Sequence, residues 1–184
     1  LHSMEVVADR RTEVTRLYGE RAARHERTIP PHSVLYVGDA SPRFMALQHA
    51  LANADTEIIA AFSSYSAFEY LHERPFDAVV LSALNGGDTA FTISSAMRRN
   101  ARLYHTPVLL LSDAVDQTVI DEAFARGVSD ILPHDAGDDE IRDRILSLAA
   151  ERRRRREAKA SLEFCRDPRT LDVETGLFQI GGAS

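Results

Sequence analysis

From Ser33 onward, short apolar runs alternate with segments in which apolar residues recur every three or four positions. Residues 33–37, 57–61, 77–81, 107–111 and 130–132 are the predicted strands. The middle ones are apolar almost throughout, as strands covered on both faces should be. Between them, Phe44, Leu47 and Leu51 share one helical face, as do Ile93, Ala96 and Met97, and then Val119, Ile120, Ala123 and Phe124. Pro42 suits the first turn of the first of these helices, and Gly127 is placed to end the fourth. Strands alternating with helices of about ten residues demand right-handed crossovers and a parallel sheet. The expected architecture is α/β, a doubly wound five-stranded parallel sheet of order 2-1-3-4-5. Ligands of such sheets meet the carboxyl ends of the strands, near the switch between the first and third.

The flanks read differently. Residues 4–27 are charged and rich in helix formers, with Val7, Val14, Leu17 and Tyr18 on one side, and they lead to an extended Pro30-Pro31 hinge. Leu1-His2-Ser3 ahead of Met4 reads as a remnant foreign to the native chain. Beyond the last strand, Asp138-Asp139-Glu140 suits a helix start, and neither Gly nor Pro interrupts the chain before Asp167. Ile141, Ile145, Leu148, Arg152, Arg155, Lys159 and Leu162 follow the 4-3 spacing of a coiled-coil seam with cations in its middle. One long helix leaving the domain is expected, its seam too polar to dimerise unaided. The organisation is then a helical segment and linker over 4–31, a core domain over 33–149 and a helical linker over 150–171.

Composition narrows the function classes. With 184 residues the chain can bury one full core with length to spare. A net charge of -6 argues against general nucleic-acid affinity, which needs a basic face. Cys165 is the lone cysteine, so no internal disulfide forms, and a reducing compartment fits. No apolar run is long enough to span a bilayer and no signal-like segment opens the chain, so a cytoplasmic protein is expected. The histidines His32, His49, His72 and His105 lack ligand spacing, which implies no zinc site.

Four stretches carry a resemblance. They are Val34-Leu35-Tyr36-Val37-Gly38-Asp39, Phe76-Asp77-Ala78-Val79-Val80-Leu81-Ser82, Pro107-Val108-Leu109-Leu110-Leu111-Ser112 and Gly127-Val128-Ser129-Asp130-Ile131-Leu132-Pro133-His134. In order and spacing they resemble the CheY-like (flavodoxin-type) receiver domain of response regulators over 33–149. The resemblance implies a phosphoacceptor aspartate at the end of the third strand, where this chain has Ser82. Of the two adjacent acids that help hold magnesium, Gly38 replaces one and Asp39 remains. The hydroxyl after the fourth strand is kept as Ser112. The lysine after the fifth is His134, and the aromatic switch residue is Ile131. A hydroxyl cannot form the acyl phosphate of such a switch, and one acid beside a neutral hydroxyl is a poor magnesium site. Magnesium binding is therefore expected to be weak or lost, with no other cofactor. Asp88 could replace the missing acid only if the loop before it folded back.

The tail adds a second resemblance. Asp172-Val173-Glu174-Thr175-Gly176-Leu177-Phe178 is similar to the opening of a GGDEF (diguanylate cyclase) domain after its helical linker. The implied start of that domain is 172–178, and any cyclase activity would belong to a longer parent.

Each sharp reading has a bland counterpart. Ser82, His134 and Asp39 invite a nucleophile triad, but Leu81-Ser82-Ala83 lacks the glycines of a nucleophile elbow. Groups satisfying one another or water is the stronger reading. Kinase phosphorylation of Ser82 would crowd its charge against Asp39. The arginines 152–156 could clamp phosphates, though such a run on an exposed helix is usually solvated. Cys165 has no activating base nearby in sequence. The expectation is a non-enzymatic pseudo-receiver in two-component or cyclic-di-GMP signalling. Its partners would be the adjoining GGDEF-like domain, other receiver domains and a second copy in a homodimer, with no nucleic acid and no membrane. The alternatives are a phosphoryl-accepting receiver with unusual ligands and a small-molecule or nucleotide sensor.

Overall fold

In a computed structural model of the protein, the structure describes residues 31–83 and 88–166. The chain divides into two units, Leu1–Pro31 and His32–Ser184, and everything below lies in the second. The alternation becomes β1 (His32–Val37), α1 (Pro42–Ala52), β2 (Thr56–Ala61), α2 (Ser64–Glu73), β3 (Ala78–Ala83), α3 (Asp88–Arg98), β4 (Val108–Ser112), α4 (Gln117–Ala125), β5 (Asp130–Pro133) and α5 (Asp138–Arg166). The strands pair in parallel in the order β2-β1-β3-β4-β5, as the pattern requires. The readings of residues 4–27, the Pro30 hinge and the 172–178 motif lie outside the described residues.

Side-chain alternation sorts the core into two layers. Val34, Tyr36, Ala78, Val80, Leu109 and Leu111 face α1 and α5, against Leu47, Ile141 and Ile145. Leu35, Val79, Leu81, Val108 and Leu110 face the other three helices, against Leu71, Ile93 and Ala123. Local signals set the helix starts. The hydroxyls of Ser41 and Ser63 accept from the amides of Phe44 and Ser66, and the Asp116 carboxylate accepts from Val119. Pro42 takes the first turn of α1.

Three details depart from the sequence expectation. β3 starts one residue later than predicted and runs on through Ser82 to Ala83. Phe124 is 51% exposed on α4 while Ala123 carries the core contact. The first part of α5 does not form a free seam, because Ile141, Ile145 and Ala149 bury against the sheet. No helix among the described residues is long and apolar enough to cross a membrane.

Gly127 ends α4 with φ +87°, and a Cβ there would overlap Arg98 Cγ and sit 3.0 Å from its Cδ. Arg98 cannot easily retreat, since it donates to the carbonyls of Gly127, Tyr104 and Thr106. Gly127→Ala should therefore cost about 2 kcal/mol, combining left-handed strain with the displaced arginine. Urea denaturation checks this, and a loss under about 0.5 kcal/mol, the scatter of neutral surface changes, would contradict it.

Candidate functional site

Parallel register places the candidate residues at the carboxyl edge of the sheet. Val37 pairs with Leu81, so Gly38 and Ser82 follow side by side off the ends of that pair. With Asp39, Ser63 and Thr89 they line a cleft of about 170 Å³. Asp39 is exposed, and Ser82 is half-buried. The structure thus brings Gly38, Asp39 and Ser82 together.

The other expected members stand apart from that cleft. Ser112 is buried at the end of β4, where its hydroxyl donates to the Ala114 carbonyl at 2.8 Å and lines a separate hollow. The His134 amide donates to the Ser112 carbonyl at 2.9 Å, while its Nε2 is buried without a hydrogen-bond partner. Ser82 Oγ is likewise buried without one, so the two are not joined as a nucleophile and base must be. Ile131 is half-buried against the core.

Tyr36 is the residue that sequence reasoning missed. It counted as one more apolar strand position, yet its fully buried ring brings its hydroxyl up against Gly38. A Cβ on Gly38 would lie 2.9 Å from Tyr36 Oη and 2.7 Å from Ser82 Cβ. The phenol thus fills the space a side chain at position 38 would need. Phe44 locks it, with ring centroids 4.9 Å apart. Tyr36 Oη, like Ser82 Oγ, is buried without a hydrogen-bond partner.

This donor set does not fit magnesium. That ion prefers several hard, preferably anionic oxygens in near-octahedral geometry, and the cleft lining holds one carboxylate, Asp39, with neutral hydroxyls from Ser63, Ser64, Ser82 and Thr89. Among the described residues no three His, Cys, Asp or Glu side chains gather as a metal site.

Arg43 is a second residue missed, since its role depends on a segment 91 to 95 positions away. From α1 it donates to the His134 carbonyl at 2.6 Å, to the Ala136 carbonyl and to the Asp138 carboxylate. The β5–α5 loop is thereby held by a fixed cation.

At the opposite edge, the arginine run is not uniformly solvated. Arg154, Arg155 and Arg156 are exposed and Arg152 and Arg153 half-buried, and Arg153 and Arg156 reach the buried Asp77 carboxylate at 3.1 and 3.4 Å. The same carboxylate accepts from the Ser33 amide at 3.0 Å.

No protein-family model matches the chain, and no curated protein matches it. Solved structures do. The chemotaxis response regulator CheY4 of Vibrio cholerae superposes with a TM-score of 0.59 at 20% identity, covering 64% of this chain and 98% of that one. A response regulator from Thermotoga maritima gives 0.59 at 22% identity, with 65% and 98% covered. The signal receiver domain of an HD domain-containing protein from Pseudomonas fluorescens gives 0.62 at 19% identity, with 71% and 95% covered. This is the receiver fold. At these identities the likeness carries architecture alone, and what this receiver-fold domain does must be argued from its own side chains.

Proposed function

We propose that this receiver-fold domain is a signalling module that works by protein docking and does not accept phosphoryl groups. Tyr36 carries the reading. Its hydroxyl lies 2.9 Å from where a side chain at Gly38 would begin, so the phenol takes the space of the second acid that a phosphoryl site would need. Ser82 offers an alcohol, which lacks the carboxylate's capacity to form an acyl phosphate.

Docking would use the face of α4, β5 and α5. Phe124 on α4 is 51% exposed and Val115, just ahead of α4, is 38% exposed, while Ile131 on β5 is half-buried. The long α5, whose residues from Arg154 onward are exposed, would couple this face to an output domain beyond it. The 172–178 motif favours a diguanylate-cyclase-like output, and a second copy or another receiver domain would be the docking partner.

The test is intact-protein mass spectrometry and amide NMR after acetyl phosphate, or beryllofluoride with magnesium. The expected result is no phosphoryl adduct on Ser82 and no saturable shift at Asp39 or Ser112. An adduct at Ser82 with altered self-association would restore the phosphoreceiver reading and end this one.

A further inference from the structure

A second cleft, of about 280 Å³, lies at the amino edge of β4 and β5, against the flank of α5. Arg98, His105, Ser129, Glu151, Arg152 and Arg155 contribute its polar lining. Its volume sits near the lower end of the roughly 300–1,000 Å³ usual for ligand sites, which suits a small molecule.

The cleft is rigidly built. Arg98 donates to the carbonyls of Tyr104, Thr106 and Gly127 at 2.7, 2.8 and 2.8 Å and to Ser129 Oγ at 3.3 Å. It fixes the walls and leaves a desolvated positive charge in the floor, where burial lowers its pKa. Ser129 Oγ also accepts from the Val108 amide at 2.9 Å, so its own proton is left to donate into the cleft.

Arg152 is the unusual member. It is half-buried, and its Nε is shut off from solvent without any hydrogen-bond partner. Desolvation first, and then the neighbouring Arg156, lower its pKa. The two acids around it are already engaged, Asp77 by Arg153, Arg156 and the Ser33 amide and Glu151 by Arg155. A cation held this way destabilises the fold, and such positions cluster where a ligand supplies the missing partner. Arg155, at the rim, pairs with Glu151. Three guanidiniums against one carboxylate leave an excess of two positive charges, which a phosphate dianion balances and a carboxylate does not.

We propose that this cleft binds a phosphate-bearing small molecule, with the Arg152 guanidinium and the Ser129 hydroxyl donating to the phosphate oxygens. A planar guanidinium matches phosphate oxygens in paired hydrogen bonds, and the fixed charge of Arg98 behind it strengthens them. The site is independent of the Ser82 edge.

Titration of the full chain with inorganic pyrophosphate tests this, with NMR at constant ionic strength and sodium chloride as the control. Saturable shifts are expected at the amides of His105 and Ser129 and at Arg152 Nε, together with a raised thermal midpoint. Arg152→Gln should fold normally, because Arg153 and Arg156 still hold Asp77, yet weaken binding about tenfold or more. Arg154→Gln, which removes the same charge from an exposed position, should change it less than about twofold. Adenosine diphosphate in a parallel arm shows where the group resides. Tighter binding than pyrophosphate indicates a nucleotide, and equal binding a free or small-molecule phosphate. Shifts that never saturate, or equal weakening by the two substitutions, would overturn the site.

Discussion

Asp77→Ala should lower the unfolding free energy by about 4 kcal/mol, in the range for breaking a buried ion pair by removing one partner. Asp77 is 4% exposed just before β3. Its carboxylate takes the Ser33 amide at 3.0 Å, Arg153 at 3.1 Å and Arg156 at 3.4 Å, with His32 Nδ1 3.7 Å away. Deleting it strands a partly buried amide and leaves Arg153, whose side chain is 19% exposed, beside other cations without this acid. Arg156 is 46% exposed and would lose much less, because water screens it. The loss should be local as well as global. Amide exchange should accelerate in α5 beyond Ala149, where burial against the sheet ends, while Ile141 and Ile145 stay protected. Asp77→Asn, which can still accept from Ser33, should fall near half the alanine loss. Urea denaturation and hydrogen exchange give both readouts, and an alanine loss under about 1 kcal/mol would show that this knot does not anchor the helix.

Gly38→Asp, which restores the second acid of a receiver, should cost about 3 kcal/mol and should not create a metal site. The added Cβ meets Ser82 Cβ at 2.7 Å and Tyr36 Oη at 2.9 Å. Overpacking of this kind costs about 1–3 kcal/mol, and desolvating the new carboxylate against a ring adds to it. The phenol cannot swing aside, since Tyr36 is fully buried and its ring packs against that of Phe44. Tyr36→Val should relieve the clash, so the double variant is expected to recover at least half of the single loss. That recovery is a coupling between neighbours that additive changes would not show. Thermal unfolding of the two single variants and the double measures it. A Gly38→Asp protein as stable as the parent would mean that the floor is open and the phenol is not its plug.

Much of the fold was legible because it rests on local periodicity. The strand positions, Pro42 in the first turn of α1 and the Gly127 stop all follow from patterns a few residues long. The strand order followed as well, since alternating elements and one crossover hand leave few topologies. Phe124 was misplaced because a helical wheel marks an apolar face without saying how much of it the sheet covers. The long helix was read correctly, but its seam was not. Heptad spacing ignores that Ile141 and Ile145 already face a sheet.

The candidate site was legible only in part. Ser82, Gly38 and Asp39 stand out by their positions relative to strand ends, and they share a cleft. Tyr36 was invisible as a site residue because a strand aromatic is ordinarily core, and only the register beside Ser82 reveals what it fills. Arg43 carries no local signature, and neither the motif around Asp77 nor the arginine run says what Asp77 holds or which arginine is desolvated. The partners of Arg43 and Asp77 lie tens of positions away, at distances along the chain that no periodicity spans.

Chemistry that depends on which atom is present was therefore settled by the order of residues alone: an alcohol at 82 and no side chain at 38. Chemistry that depends on which atoms meet was left to the packed molecule. Packing left the Nε of one arginine of a run buried without a partner and tied two others to Asp77, because desolvation and neighbours act through space and not along the chain.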